Sequence, residues 1–91
     1  LLAIENGYQT ALMAPTEILT QQHYRKFQEY LNPLGINVAI LTGSTSPKNR
    51  RAILEGLATG LIKIVVGTHA LIQEDVVFQK LGLVIIDEQH R

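Results

Sequence analysis

Two carboxylates, Asp87 and Glu88, stand side by side directly after the apolar run Leu83-Val84-Ile85-Ile86. Successive side chains of a strand point to opposite faces. A strand ending here aims the two acids in different directions from one fixed point. That division suits metal-assisted phosphoryl transfer. Asp87 can hold Mg²⁺ through water, because this ion keeps much of its hydration shell. Glu88 can accept a proton from the attacking water. Two solvated acids at a strand end would give the same bare pattern, and both readings stand at this point. A transition-metal site made of Asp87, Glu88 and His90 lacks further ligands, since His23 and His69 lie far away in sequence.

Three other short stretches offer groups for an anion. Pro15-Thr16-Glu17 has the residues of a helix start, where free N–H groups and the positive end of the helix dipole face outward. Gly67-Thr68-His69 repeats the arrangement: Gly67 permits close backbone approach, and Thr68 can cap a short helix or donate its hydroxyl to a phosphate. Thr42-Gly43-Ser44 supplies small residues and free amides. Taken singly, each is also an ordinary cap or turn. Lys48, Arg50 and Arg51 read as a solvated helix face, and His23 as a ring packed by its edge on a sheet.

The elements that must position these residues follow from the apolar pattern. Four runs of strand length, 10–14, 38–42, 63–67 and 83–87, alternate with helical segments. None alternates apolar with polar, which suits strands of a parallel sheet covered on both faces. After the first run, Thr16 can cap a helix with Glu17 in its first turn; Leu19, His23, Phe27, Tyr30 and Leu31 give its inward stripe, and Asn32-Pro33 ends it. After the second, Ser46-Pro47 starts a helix whose apolar side is Ile53, Leu54, Leu57 and Ala58. A short helical turn is expected from His69, while 76–81 is ambiguous. Leu1–Asn6 reads as a helix tail ending at Gly7. The alternation predicts a doubly wound α/β sheet with right-handed crossovers. In such sheets function gathers at the carboxyl ends of the strands, where all four stretches above belong.

Composition narrows the partners. The 91 residues are 46% hydrophobic, enough for a core, with 8 Lys+Arg against 8 Asp+Glu. No global basic field draws in nucleic acid, so any such contact must be local. Cysteine is absent, excluding disulfides and thiolate metal sites; a cytoplasmic location is expected. No apolar run approaches the ~20 residues that span a membrane. The start has neither Met nor a basic region, so it is not a signal peptide, and the chain reads as part of something longer.

In succession, "ALMAPTEILTQQH", "LTGS", "VGTHALIQ" and "VIIDEQHR" resemble the motifs of the RecG family of superfamily 2 DNA helicases. The resemblance covers nearly the whole chain, and "DEQHR" with "GTHALIQ" is specific to that family and its near relatives. It implies a partial RecA-like P-loop NTPase domain, a mostly parallel sheet of about four strands with flanking helices. Residues 1–91 would be part of the first motor domain of an ATP-dependent helicase that remodels branched DNA, with ATP and Mg²⁺ as cofactors. Asp87 would hold Mg²⁺ through water, and Glu88 would activate the hydrolytic water. Gln89 and His90 would link the γ-phosphate site to the second motor domain and the DNA groove. Pro15, Thr16, Glu17, then Thr42, Gly43, Ser44, then Gly67, Thr68, His69 would track the phosphates of a DNA strand.

The family's Gly-Lys-Thr phosphate loop and second motor domain are not in this sequence, so the isolated piece is expected to be inactive. The resemblance also implies the strand order 83–87, 10–14, 63–67, 38–42. That order makes 83–87 an apolar edge through which the piece is expected to self-associate. A nucleic-acid-binding α/β module without hydrolysis is the alternative. A Rossmann domain is disfavoured, because no G-x-G-x-x-G follows the first strand.

Overall fold

The computed structural model describes residues 7–87. Leu1–Asn6 and residues 88–91 lie outside the described residues, and with them the expected N-terminal helix tail and Glu88, Gln89 and His90. Strand β1 (Gln9–Met13) leads into helix α1 (Glu17–Leu31) and a short 3₁₀ turn (Asn32–Leu34). Strand β2 (Val38–Leu41), helix α2 (Pro47–Thr59) and strand β3 (Ile64–Gly67) follow. A second 3₁₀ turn (His69–Ile72) and strand β4 (Leu81–Ile86) complete the order.

The strands form one sheet, β2-β3-β1-β4, with every pair parallel. This is the order expected from the sequence, and each strand lies within one or two residues of its expected bounds. The step from β1 to β2 and the return from β2 to β3 run in opposite directions across the sheet. Right-handed connections therefore set α1 and α2 on opposite faces.

The register explains the core. Ala39, Val65, Ala11 and Val84 line up across the four strands. On that face α2 closes down through Leu57, which packs with Ala11, Leu41 and Val65; Ile53, Leu54, Leu71, Val76 and Phe78 surround this cluster. Gln9 is fully buried among these apolar groups. Its Nε2 donates to the carbonyls of Leu57 (2.9 Å) and Ile62 (2.8 Å), and its Oε1 accepts from the Lys80 amide (2.8 Å). Burying an amide is tolerable only with its bonds made, and here one side chain ties the end of α2 to the entry of β4.

Both long helices begin as their sequences specify. Thr16 Oγ1 accepts from the Leu19 amide (3.2 Å), and Ser46 Oγ accepts from the Asn49 amide (3.3 Å) with Pro47 at the first helical position. Helix α2 stops at Gly60, whose φ of 85° lies in the left-handed region.

Several expectations are corrected. Strand β4 is exposed along its whole length, not covered on both faces, because it lies at the sheet edge, with a neighbouring strand on one side only among the described residues. On α1, Tyr30 points outward at 71% exposure, while Thr20 is fully buried in the inward stripe. Thr20 can sit there because its hydroxyl donates to the Thr16 carbonyl at 2.8 Å. On α2, Ala58 is exposed and Gly56 takes the inward place, where a Cβ would meet the Ile62 side chain. Residues 76–80 form no regular element, yet Val76 and Phe78 pack on the core.

Candidate functional site

Because all four strands run parallel, their carboxyl ends share one rim. Backbone bonds carry the chain onto it: Ala14 N–H donates to Gly67 O (2.9 Å), Thr68 N–H to Leu41 O (3.3 Å) and Asp87 N–H to Met13 O (2.8 Å). The three expected anion-binding stretches and Asp87 are thus brought to a single edge. A Cβ on Gly67 would collide with the Leu41 carbonyl oxygen and the Leu71 side chain, so the close approach expected there is real.

The tip of β1 leads into the N-terminus of α1, a helix of 15 residues with a directed dipole. Pro15, Thr16 and Glu17 are exposed there. The Glu17 carboxylate accepts from Ser44 Oγ at 2.5 Å, joining the first and second stretches although 27 residues separate them. Thr42 is buried, and its groups are used inside the turn. Its amide donates to Thr45 Oγ1 (3.0 Å), and its hydroxyl oxygen accepts from the Ser44 amide (3.2 Å). Gly43 and Ser44 are the members of that stretch exposed at the rim. In the third stretch Thr68 Oγ1 accepts from the Ala70 amide (3.4 Å), capping the short turn as expected, and His69 is exposed.

Asp87 is half-buried, and it does not stand alone. His23 Nε2 lies 2.8 Å from Asp87 Oδ2, with about a third of each side chain exposed (33% and 31%). The expectation that His23 packs by its ring edge on the sheet is corrected: the ring makes a polar contact, because an imidazole turned inward needs a partner. That need was the sequence signal available for this pair, but it names no partner 64 residues away. Among the described residues no cluster of three or more His, Cys, Asp or Glu could cage a metal.

Arg50 also departs from the solvated role expected of it. Its guanidinium grips Asp75 with both terminal nitrogens (2.6 and 2.8 Å) and reaches Gln73 Oε1 at 2.7 Å. The paired hydrogen bonds hold the Asp75 carboxyl below its ordinary range and raise the Arg50 guanidinium. This clamp fastens α2 to the segment following the third stretch.

Sheet order, flanking helices and a rim that ends in an aspartate define a RecA-like α/β domain. The sequence matches the DEAD/DEAH box helicase family over residues 1–91, and the chain belongs to that family. It is similar to the "ATP-dependent DNA helicase RecG" of Aquifex aeolicus, at 54% identity over 100% of this chain and 12% of the relative. The protein of that description from Synechocystis sp. is 58% identical, covering 100% of this chain and 11% of the relative. A solved structure, "Structure of RecG bound to three-way DNA junction", superposes with a TM-score of 0.84 at 58% identity, over 93% of this chain and 12% of the other. The chain therefore spans about an eighth of the length of these relatives, and the resemblance read from its motifs is borne out.

Proposed function

We propose that this chain is part of the first RecA-like motor domain of an ATP-dependent DNA helicase that remodels branched DNA, such as replication forks and Holliday junctions. The observation that carries the proposal is the position of Asp87. It directly follows β4, which pairs with β1, whose own tip opens the capped N-terminus of α1. A carboxylate and a phosphate-binding helix start on neighbouring strands are what a coupled nucleotide and DNA site needs. The similarity to RecG proteins, and to one solved with a three-way DNA junction, supports the same reading.

In this reading ATP is the nucleotide and Mg²⁺ its metal. The residues fit a hydrated Mg²⁺: one oxygen-donor side chain, partly open to solvent, with Oδ2 bound by His23 and no bond to Oδ1 among the described residues. Bound there, the ion would neutralise charge developing on the phosphates. Asp87 would hold it through water. Glu88 takes the proton of the attacking water. Gln89 and His90 connect that site to the second motor domain. Pro15, Thr16, Glu17, Gly43, Ser44, Gly67, Thr68 and His69 follow a DNA strand by its phosphates, and Thr42 shapes the turn that presents Ser44. No Gly-Lys-Thr loop occurs in the sequence, so the phosphate-gripping lysine belongs elsewhere in the longer protein, and these 91 residues alone do not turn over ATP. The cytoplasm is the proposed compartment. In isolation, a second copy of the chain pairs with the outer edge of β4, which no strand covers among the described residues.

The test is ATP turnover in the protein that contains this chain. Glu88→Gln should retain ATP binding and lose about 10²-fold in DNA-stimulated turnover, the size of a lost general base. Turnover equal to wild type removes Glu88 from the mechanism. DNA affinity unchanged by loss of both carboxylates, together with no ATP turnover in the wild type, would favour the non-hydrolysing binding module.

A further inference from the structure

We infer that His23 is a positioning residue for Asp87: its imidazole fixes the rotamer of the carboxylate that holds the hydrated metal. The inference rests on the proposed ATP site and adds a residue to it from a different element. An aspartate at a strand end can turn about two side-chain bonds, so its oxygens sweep a wide arc. His23 removes that freedom. It sits on α1 about two helical turns beyond the Thr16 cap, and its Nε2 reaches Asp87 Oδ2 at 2.8 Å.

The donor is well anchored. The His23 backbone is interior to a helix of 15 residues, and the neighbouring Thr20 and Leu31 are buried in the same inward stripe. The acceptor is anchored too, by the Asp87 amide on the Met13 carbonyl at 2.8 Å. One end of the contact lies inside a helix and the other directly follows a strand to which its backbone is still bonded, and the bond selects one oxygen. Oδ2 is occupied by the N–H, and Oδ1 remains for a metal-bound water. Partners of this kind orient a ligand without touching the metal, and their loss commonly costs about 10- to 100-fold in metal affinity or activity.

A purely structural role would look different. The contact also joins the edge strand to α1, so removing it could loosen β4 without any special effect on the metal. Three variants in the full protein that contains this chain separate the cases: His23→Leu, His23→Gln and Asp87→Asn. Gln carries an N–H at nearly the reach of Nε2, whereas Leu has no donor. Binding of Mn²⁺ with a non-hydrolysable ATP analogue is read by electron paramagnetic resonance. The Mg²⁺ concentration for half-maximal ATP turnover and thermal unfolding without nucleotide are measured alongside.

His23→Leu should weaken Mn²⁺ binding and raise the Mg²⁺ requirement by about 10-fold, and His23→Gln should restore both close to wild type. If His23→Leu lowers only the unfolding temperature and leaves Mn²⁺ binding intact, the inference is overturned while the ATP-site reading stands, provided Asp87→Asn loses the metal. If Asp87→Asn itself binds Mn²⁺ and nucleotide like wild type, the site reading fails first. Should His23→Leu not fold, His23→Asn, which is polar but too short to reach, replaces it: Mn²⁺ affinity equal to that of His23→Gln would overturn the inference.

Discussion

Ser44 Oγ donates to the Glu17 carboxylate at 2.5 Å, across the space between the end of β2 and the start of α1. The contact makes one surface of two stretches that the chain separates by a whole helix. It also gives Glu17 a use compatible with nearby phosphates. On the proposed DNA path a bare carboxylate would repel phosphates, and the bond to Ser44 turns one of its oxygens towards the turn after β2. The pair is exposed, so its worth lies in aligning Gly43 and Ser44 rather than in stability.

Gly67 is a rim position with no room for a side chain. A Cβ there meets backbone, the Leu41 carbonyl oxygen, as well as the Leu71 side chain. Backbone cannot step aside as a flexible side chain can. Gly67→Ala should destabilise by about 1–3 kcal/mol, as overpacking does. Urea denaturation of the protein that contains this chain checks the value.

Gln9 bonds three backbone groups from two segments, so its loss is felt in stability. Gln9→Leu keeps the volume roughly but strands the Ile62 carbonyl and the Lys80 amide; the Leu57 carbonyl keeps a second donor, the Gln79 amide at 3.0 Å. Two part-buried groups without partners imply a loss of about 1–3 kcal/mol. A loss below the reach of denaturant measurement would show that water replaces the amide.

The Arg50–Asp75 clamp sets a pH dependence. Its hydrogen bonds lower the Asp75 pKa below the ordinary 3.8. The unfolded chain then binds this proton more readily than the folded one. The clamp's contribution is fully present above about pH 5 and is lost as pH falls through the lowered value. The stability difference between wild type and Asp75→Asn should be constant from pH 5 upward and shrink in acid below about pH 4. The pair is solvent-exposed, so added salt should reduce the difference at neutral pH as well.

Strand β4 offers its outer edge together with exposed Val84 (53%) and Ile86 (56%). Among the described residues no strand pairs with that edge. The isolated 91-residue chain should therefore associate with itself, and light scattering should show mass rising with concentration. Val84→Lys, a charge of the kind that natural edges carry, should return it to a monomer. A strictly monomeric wild type at high concentration contradicts the expectation.

Much of this architecture was legible in the sequence because local signals and apolar runs agree. Thr16, Ser46-Pro47 and Thr68 mark helix starts by short-range chemistry, and each cap is made by the residue expected to make it. Strand order needed more than periodicity; it came from resemblance. What stayed hidden are contacts between residues far apart in the chain: His23 with Asp87, Gln9 with Lys80, and Arg50 with Asp75, separated by 64, 71 and 25 positions. Each pairs a polar group with a partner that only the folded sheet supplies. Apolar counting also misjudged Thr20 and Tyr30, since a hydroxyl bonded to its own helix buries more easily than a phenol at a helix end.

The most direct measurement of the shared rim is photo-crosslinking to branched DNA in the protein that contains this chain. Single cysteines carrying a short photoreactive group replace Ser44, Thr68 or Leu61 in a cysteine-free background. Leu61 is 74% exposed but precedes β3, at the opposite end of the sheet. Crosslinks to DNA from positions 44 and 68, and none from 61, are expected. Crosslinking from 61 as strong as from 44 and 68 would contradict the placement of the DNA path along the carboxyl ends of the strands.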